Sequence, residues 1–223
     1  MSKNNTAENA PSAKKSSKKW PIVTGVVAAI LVIAGAGMWV WHEQPSFCGA
    51  ICHYPMATFN TTYDQEPNTA GVDKWGNEVS NTSAMLCVTH KVSTEEGGAG
   101  ATCLSCHVPT LSEQISEGMN WVAGNYVFPL YERSGSELTE ARGAESDEFC
   151  LNESCHNITR DDLVELTSDM EFNPHVSQHG ETACTDCHKA HRASVMACSE
   201  CHTDAEVPDG WLTVNESDAL PYA

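Results

Sequence analysis

A continuous apolar run near the start of the chain is its clearest hydrophobic pattern. From Pro21 to Trp41 every residue except Thr24 is apolar, Gly or Pro, and none carries a charge. A helix of this length, at about 1.5 Å per residue, covers a hydrocarbon core of about 30 Å. Tryptophans stand at both ends of the run, where indole rings favour the membrane interface. The pattern predicts a transmembrane anchor helix over residues 20–41.

The flanking sequence predicts the orientation of this helix. Residues 1–19 are small and polar and carry five lysines, which is typical of a disordered cytoplasmic tail. By the positive-inside rule, the remainder from residue 42 to residue 223 then lies outside the cytoplasmic membrane, in a periplasm or at the cell exterior. A cleaved signal peptide is the alternative, with residues 34–36 as a small-residue cleavage site, but its apolar core would be shorter, about 7–15 residues.

The pattern changes after residue 42 to short amphipathic stretches without sustained alternation of apolar and polar positions. It predicts helices over Ser112–Tyr126 and Arg160–Ser168, and a loop over Gln65–Asn81, which is rich in Pro, Gly, Asn and Asp. The expected fold class is mainly α with much irregular structure. Asn173 and Pro174 resemble an N-cap followed by proline at the first helical position, which would place His175 and His179 on one helix face.

Charge narrows the range of partners. The 182 residues from His42 onward contain seven Lys and Arg against 29 Asp and Glu, a formal charge of −22. A domain this acidic is not expected to bind nucleic acid or an anionic lipid surface. Most of the charge keeps the surface soluble, and it would also steer a partner with a basic docking face.

Cysteine and histidine recur together along this domain. Five times a histidine directly follows the second of two closely spaced cysteines, and these segments use ten of the eleven cysteines. C-x-x-C-H is the attachment motif of c-type haem. Three segments have this spacing, whereas the first has three intervening residues and the third has four. In chain order the motifs are Cys48, Cys52 and His53; Cys103, Cys106 and His107; Cys150, Cys155 and His156; Cys184, Cys187 and His188; and Cys198, Cys201 and His202.

Zinc sites and a disulfide scaffold are the alternatives to haem. Neither explains a histidine at the next position five times over. We therefore expect haem c as the cofactor, five groups per chain or four if one widened motif does not bind. Attachment of c-type haem outside the cytoplasm agrees with the orientation that the lysines predict. The expected architecture is a multihaem cytochrome c domain on a single N-terminal transmembrane helix.

Each motif histidine is expected to bind one haem iron, and a second axial ligand is needed on the other side. The histidines outside the motifs are the candidates, except that His42, beside the span, is more simply a solvated residue. Met56 follows the first motif by three residues and is either a ligand of the first iron or a packing residue. Cys87 has no motif partner and is expected to be a buried small residue. The candidate second ligands are Met56, His90, His175, His179 and His191.

This arrangement resembles the NapC/NirT/NrfH family of membrane-anchored multihaem quinol dehydrogenases. The resemblance rests on the anchor, the motif immediately after it, the run from Ala101 to Pro109 and the run from Asn173 to His191. It implies that quinol, menaquinol above all, delivers electrons at the first haem and that a reductase outside the membrane receives them. It also implies that Met56 ligates the first haem.

The chain departs from that family in three ways. Family members usually carry four haems, so the motif at Cys198 would be an added exit site. Two motifs are widened. The lysine and acidic residue of the family's quinol pocket follow the second motif, but Val108–Glu132 contains no Lys and no Asp. The candidate quinol proton acceptors are Glu113, Glu117 and Glu132.

Two functions therefore remain open at the level of sequence. The first is a quinol dehydrogenase. The second is a tethered electron-transfer cytochrome without its own quinol site, which the missing Lys and Asp favour. A homo-oligomer is compatible with either, and nothing in the residues selects the terminal acceptor.

Overall fold

The computed structural model describes residues 19–92, 100–128, 137, 139 and 146–221, with His53 and Ser146 described through their backbone alone. The chain divides into two units, one ending at His42 and the other, here called the motif unit, running from Glu43 onward. Its described part is mostly helical with much irregular chain. The helices are α1 (Lys19–His42), α2 (Pro45–Ile51), α3 (His53–Asp64), α4 (Leu86–Lys91), α5 (Cys103–Cys106), α6 (Leu111–Ala123), α7 (Ser146–Cys150), α8 (Arg160–Leu166), α9 (Cys184–Cys187) and α10 (Val214–Asp218). The strands are β1 (Gly71–Val72), β2 (Glu78–Val79), β3 (Val195–Met196) and β4 (Leu212–Thr213), and 3-10 turns cover Thr82–Ala84 and Ala197–Glu200.

The predicted apolar helix forms as α1, which has 24 residues, none of them buried. Pro21 lies in its first turn, where proline is tolerated because the first backbone N–H groups have no partner within the helix. The Thr24 hydroxyl donates to the Trp20 carbonyl at 3.0 Å, so the lone polar side chain of the run is satisfied within the helix. By length and composition α1 can cross a membrane, and an N-terminal signal sequence passes the same test.

The helix predicted over Ser112–Tyr126 forms as α6, and its ends have local causes. Thr110 and Glu113 make a capping box, in which the Thr110 backbone N–H donates to the Glu113 carboxylate at 2.6 Å. Gly124 ends the helix in the left-handed region at φ +72°, which glycine adopts without strain. The helix over Arg160–Ser168 also forms, as α8, and ends at Leu166.

The helix predicted over residues 173–179 does not form. The Asn173 side-chain oxygen accepts from the backbone N–H of His175 at 3.0 Å and closes a local turn instead. Such a side-chain turn competes with helix formation, and a second turn ends at Gly180, whose φ is +100°. The prediction that His175 and His179 share one helix face is therefore wrong.

The segment predicted as a loop, Gln65–Asn81, contains a short antiparallel hairpin in which β1 pairs with β2. The Asp73 carboxylate closes its turn by accepting from the backbone N–H groups of Trp75 at 2.8 Å and Asn77 at 2.9 Å. Gly76 takes a φ of +87° there. The turn is fixed by side-chain hydrogen bonds, which a reading of hydrophobic alternation does not detect.

A small apolar core joins distant parts of the motif unit. Met85 and Val88 are fully buried, and burying a side chain of this size contributes about 1.5–3 kcal/mol. Backbone hydrogen bonds tie α4 to the chain after α9: Leu86 N–H donates to Lys189 at 2.9 Å and Cys87 N–H donates to Ala190 at 3.0 Å. β3 and β4 pair in parallel beside them. The core consists of Val79, Ala84, Met85, Val88 and Ala193, with Cys87, Trp211 and Leu212 packed against it.

Candidate haem-binding site

The three standard motifs share one backbone closure. In each, the N–H of the motif histidine donates to the carbonyl of the first cysteine, so the pair of cysteines occupies a single helical turn. Residues three apart on such a turn lie on the same face, so both thiols can address one ligand. The closing distances are 2.8 Å for His107 to Cys103, 2.9 Å for His188 to Cys184 and 2.8 Å for His202 to Cys198.

The fifth motif differs from the second and fourth in its local structure, although the sequence predicts the same kind of site for all three. Cys198 lies in the 3-10 turn Ala197–Glu200, and Cys201 is the exposed residue that follows this turn. The Cys201 backbone N–H donates to the Cys198 carbonyl at 3.2 Å, which is the bond of a 3-10 turn and not of an α-helix. Cys201 is exposed, as are Cys106 of the second motif and Cys155 of the third. Attachment of haem stays a prediction at all five motifs.

The widened third motif keeps the closure of the standard ones. The His156 N–H donates to the Cys150 carbonyl at 3.2 Å, although two additional residues stand between them. Asn152 holds the extra chain in place, since its side-chain oxygen accepts from Ser154 N–H at 2.9 Å and its amide donates to the Phe149 carbonyl at 3.0 Å. The extra residues form a loop, and the hydrogen bond between the first and last residues of the motif is the same as in the standard motifs.

The first motif closes differently. Here Cys52 N–H donates to the Cys48 carbonyl at 3.0 Å, one residue before the histidine. The chain then turns from α2 into α3, which begins at His53, and the side chain of His53 lies outside the described part. Met56 is half-buried in the first turn of α3. Thus the first motif does not have the backbone closure that the other four share.

Two pairs of cysteines from different motifs are in direct contact. The thiol of Cys48 hydrogen-bonds that of Cys103, which raises the pKa of Cys48 and lowers the pKa of Cys103 to about 7. Likewise the contact between Cys184 and Cys150 raises the pKa of the first thiol and lowers that of the second. The first motif therefore adjoins the second, and the third adjoins the fourth.

Electrostatic neighbours connect the remaining motifs. Burial raises the pKa of Cys106, and the nearby Cys155 of the third motif raises it further. Burial also raises the pKa of Cys187, with a smaller contribution from Cys198 of the fifth motif. Together with the direct contacts, these pairs place the five motifs as neighbours in their order along the chain.

Three motif histidines stand opposite a histidine from outside the motifs. The ring centres of His107 and His191 are 6.3 Å apart and the rings are nearly parallel, at 22°. The other two pairs, His179 with His202 and His90 with His156, are 6.2 Å and 5.9 Å apart. These distances recur at three separate places in the motif unit.

The spacing fits a haem iron between two imidazoles. A histidine nitrogen binds a transition metal at about 2 Å and the ring centre lies about 1 Å further away, so two axial rings have centres ~6 Å apart. Iron takes a neutral imidazole, and burial favours that form. Burial lowers the pKa of His191 to about 3, with a smaller effect of His107. The residues present therefore fit bis-histidine haem.

His188 has three histidines as electrostatic neighbours, in order of effect His175, His90 and His156. Burial lowers the pKa of His188, and the nearby His175 lowers it further. Burial also lowers the pKa of His175 itself, with a contribution from the charge of Arg160. Trp211 packs edge-on against the His188 ring, with centres 5.0 Å apart at 84°.

The outer ring nitrogens of three non-motif histidines each have an oxygen partner. His191 Nδ1 lies 2.7 Å from the Thr62 hydroxyl, and His175 Nδ1 lies 3.0 Å from the Thr167 hydroxyl. His90 Nδ1 donates to the Leu86 carbonyl at 2.9 Å. With Nδ1 engaged in this way, Nε2 is the nitrogen left for a metal.

The glutamates predicted near the first motif separate in the structure. Glu117 lies on α6 close to the first motif, since its negative charge adds to the effect of burial in raising the pKa of Cys52. Glu113 caps the start of α6 and accepts from the Thr110 hydroxyl at 2.9 Å. Glu132 lies outside the described residues.

A groove lies at the end of α6 beside the first motif. It has a volume of about 510 Å³ and is lined by Tyr54, Trp121, Val122, Ala123, Gly124 and Tyr126. Tyr54 directly follows His53 in the sequence, and its ring lies 4.6 Å from that of Phe128. The groove therefore adjoins the first motif, and none of the described residues that line it is charged.

Neither a disulfide nor a metal-ligand cluster is seen among the described residues. All eleven lie in the described part of the chain and none forms a disulfide. Among the described residues, no three His, Cys, Asp or Glu side chains converge as ligands of a single metal ion. Cys87 packs against the core, and burial raises its pKa to about 11.

Comparison with known proteins agrees with haem binding. The family model for cytochrome c3 matches residues 134–203, which contain the third, fourth and fifth motifs. The chain is therefore a multihaem c-type cytochrome, a protein of electron transfer whose cofactor is haem c. It is 68% identical over 206 residues to cytochrome c-type protein Cgr1 of Eggerthella lenta, covering 92% of this chain and 93% of that protein. The chain belongs to the same family of c-type cytochromes as that protein.

A second relative is matched over a much shorter segment. The chain is 38% identical over 61 residues to the probable fumarate reductase Ifc3 of Shewanella frigidimarina, covering 27% of this chain and 10% of that protein. No solved structure matches the chain.

Several residues of the site gave no signal in the sequence. Thr62 lies 129 positions before His191 and no local pattern connects the two. Trp121 and Tyr126 were predicted as part of a helix, and the sequence did not indicate that they line a groove. Asn152 stands inside the widened third motif, where its role is visible only from its hydrogen bonds.

Proposed function

We propose that the protein is a membrane-anchored pentahaem cytochrome that oxidises quinol, menaquinol in the first instance, and passes electrons to a reductase outside the cytoplasmic membrane. Bound haem supplies one-electron redox chemistry at each site. The ten motif cysteines would attach the haems, and the five motif histidines would each bind one haem iron. The resemblance to the NapC/NirT/NrfH family supports this proposal without establishing membership.

The proposed second ligands follow from the ring pairs. His191 faces His107, His90 faces His156, and His179 faces His202 at distances that suit one iron each. His175 serves the fourth site because it lies near His188. The first site is left with Met56, the candidate that remains once the four histidines are assigned to the other sites. A pyridine haemochrome assay counts the haems, with five per chain expected; four would remove one widened motif from the proposal.

The observation that carries quinol oxidation is the aromatic groove beside the first motif, in which none of the described lining residues is charged. A quinol headgroup is flat and mostly apolar, and aromatic walls suit it. The outer face of α6 continues the apolar surface, because four of its residues at helical spacing are between 59% and 75% exposed: Leu111, Ile115, Met119 and Val122. A lipid-soluble substrate could therefore reach the groove along apolar surface.

Glu117 is the proposed proton acceptor. Oxidation of a quinol releases two protons, and a carboxylate within reach of the hydroxyl is a suitable general base. Glu117 lies near Cys48 and Cys52, whereas the Glu113 carboxylate is occupied as a helix cap. Of Glu113 and Glu117, we therefore retain only Glu117 as the proposed proton acceptor.

The order of the motifs supports a linear path from the first site to the fifth. Each motif adjoins the next through a direct cysteine contact or through cysteines that are electrostatic neighbours, so no site needs to be bypassed. An acceptor of the reductase type is supported by the short match to a protein named a probable fumarate reductase. The acidic charge of the motif unit, −22 from His42 onward, would favour a basic docking face on that partner.

α1 is proposed to remain as the anchor, with the N-terminus inside and the motif unit outside. Its 24 residues exceed what a signal peptide requires. N-terminal sequencing of the mature protein from a membrane fraction tests this: an intact residue 1–19 segment is expected, and a mature chain that starts after residue 36 would contradict it.

Quinol oxidation is tested with detergent-solubilised holoprotein and a menaquinol analogue. The analogue should reduce the haems of the wild-type protein, and Glu117→Gln should slow that reduction by roughly 10²-fold or more, as expected for loss of a general base. Glu113→Gln is the matched control, because glutamine retains the cap and the helix. Equal rates in both variants would remove Glu117 from the reaction.

The absence of Lys and Asp from Val108–Glu132 favours a second candidate, an electron-transfer cytochrome without a quinol site. Wild-type protein that is reduced by a soluble donor cytochrome but by no quinol would establish this candidate over the first.

A further inference from the structure

The proton on the outer nitrogen of His191 can be assigned from its neighbours. Thr62 is fully buried on α3, and its hydroxyl lies 2.8 Å from the Phe59 carbonyl and 2.7 Å from His191 Nδ1. A threonine hydroxyl has one hydrogen, and a carbonyl can only accept. The hydroxyl therefore donates to Phe59 and accepts from the ring. The thiol of Cys87, a further neighbour of Thr62, is a weak acceptor and does not displace the carbonyl.

The same arrangement occurs at a second site. The Thr167 hydroxyl lies 2.7 Å from the Leu163 carbonyl, 2.9 Å from the side-chain oxygen of Asn173 and 3.0 Å from His175 Nδ1. Since Asn173 donates through its own amide to Val164 at 2.7 Å, its oxygen is an acceptor here. Two of the three neighbours of the hydroxyl can only accept, so the His175 ring donates.

We propose that Thr62 and Thr167 are positioning residues, which hold His191 and His175 as Nδ1–H tautomers, turn Nε2 towards the haem iron and lower the midpoint potentials of the second and fourth haems. This inference rests on the ligand assignments made under the proposed function. An acceptor on Nδ1–H makes the imidazole a more basic ligand, which favours ferric over ferrous iron.

His90 supplies an internal contrast. Its Nδ1 donates to the Leu86 carbonyl at 2.9 Å, a backbone acceptor that no substitution removes. At His191 and His175 the acceptor is a side chain, so a single change of residue adjusts the strength of the ligand. The hydrogen-bond acceptor is therefore a backbone carbonyl at the third site and a replaceable side chain at the second and fourth sites.

The test compares Thr62→Val with Thr62→Ser in the full-length holoprotein. Valine has the shape of threonine without the hydroxyl, whereas serine keeps the hydroxyl. Potentiometric titration followed by electron paramagnetic resonance should show one haem in the valine variant whose ferric-to-ferrous ratio is roughly tenfold lower at a given potential, a rise of about 59 mV for one electron. The low-spin signal of that haem should also shift. The serine variant should retain the wild-type values.

Two outcomes would overturn the role of Thr62: unchanged potentials in the valine variant, or equal shifts in the valine and serine variants, which would indicate packing alone. Thr167→Val and Thr167→Ser repeat the comparison at the fourth haem and decide the question if Thr62→Val does not assemble. His191→Ala separates the assignment of His191 as a ligand from the positioning role of Thr62. Persistence of every low-spin signal in that variant overturns the ligand assignment together with the role of Thr62. Loss of one low-spin signal there, with Thr62→Val unchanged, overturns the positioning role alone.

Discussion

The first and third motifs are both wider than C-x-x-C-H, yet they differ in the structure. The third loops out its two extra residues and restores the bond from His156 to Cys150, and His90 stands opposite its histidine. The first has a different closure and adjoins an apolar groove. The comparison teaches that extra residues between the cysteines do not by themselves make a haem motif unusual. The backbone closure and the surroundings distinguish an electron-transfer site from a candidate substrate site.

Of the variants that test this comparison, the one that removes the proposed second ligand of the third haem should have the largest effect. His90→Ala should convert one haem completely from low spin to high spin, because no other described histidine faces His156. Absorption and electron paramagnetic resonance spectra of the holoprotein measure the change. His42→Ala is the control and should leave every signal intact; a high-spin signal there instead would move His42 into the ligand set.

Shortening each widened motif tests the comparison directly. Deletion of Asn152 and Glu153 produces Cys-Leu-Ser-Cys-His, the same residues as the second motif. We expect the haem count to remain unchanged, because the bond from His156 to Cys150 becomes an ordinary helical bond. Deletion of Ala50 from the first motif should instead lower quinol-dependent reduction by roughly tenfold, since it rotates α2 against α3 by about 100°.

The pyridine haemochrome assay and the rate of quinol oxidation read out the two deletions. Loss of one haem from the shortened third motif would contradict the inference that its extra residues are a passive loop. An unchanged rate in the Ala50 deletion would mean that the position of Tyr54 does not matter to the groove.

A smaller effect is expected from truncating the groove. Trp121→Ala should raise the KM for quinol by roughly tenfold, which corresponds to about 1.4 kcal/mol and is a typical loss for an aromatic contact. Steady-state reduction by a menaquinol analogue measures it. Trp75→Ala, at the hairpin between β1 and β2, is the matched control and should leave the KM unchanged. The groove is not the substrate site if both variants behave alike.

The smallest effect is expected from the ion pair between Asp147 and Arg160, which lies beside the third and fourth motifs. Burial opposes ionisation of Asp147, but hydrogen bonds from Arg160 and Cys184 outweigh it and hold its pKa below the usual value. The stabilisation is therefore present above the pKa of the unfolded chain and is lost as the pH falls through the lower folded-state pKa. Both side chains are partly exposed, at 22% and 28%, so we expect about 1 kcal/mol or less.

Thermal unfolding of Asp147→Asn against the wild type checks this. The variant should be less stable at neutral pH and equal to the wild type once Asp147 is protonated. A deficit that persists at low pH would assign the effect to packing instead of to the ion pair.

The sequence predicted the kind of site more completely than it predicted the fold. Cysteine and histidine spacing predicted the cofactor, and short amphipathic stretches predicted the helices that form as α6 and α8, because both signals are local. The caps of these helices at Thr110 and Thr159 were found only in the structure. The helix over residues 173–179 was wrong since the Asn173 side chain serves a turn as readily as a helix start. The pairing of His191 with His107 and the contact with Thr62 depend on tertiary packing, which no local spacing encodes.

The core has a consequence for the order in which the protein can be made. It joins residues 79–88 to residues 193–212, so it cannot close until almost the whole chain has been synthesised. Contacts of such long sequence separation also form late, because the loop between them must first be ordered. The second, third and fourth motifs lie within that loop. Their cysteine thiols therefore remain accessible until the core closes, and we expect haem attachment at these three motifs to precede that closure.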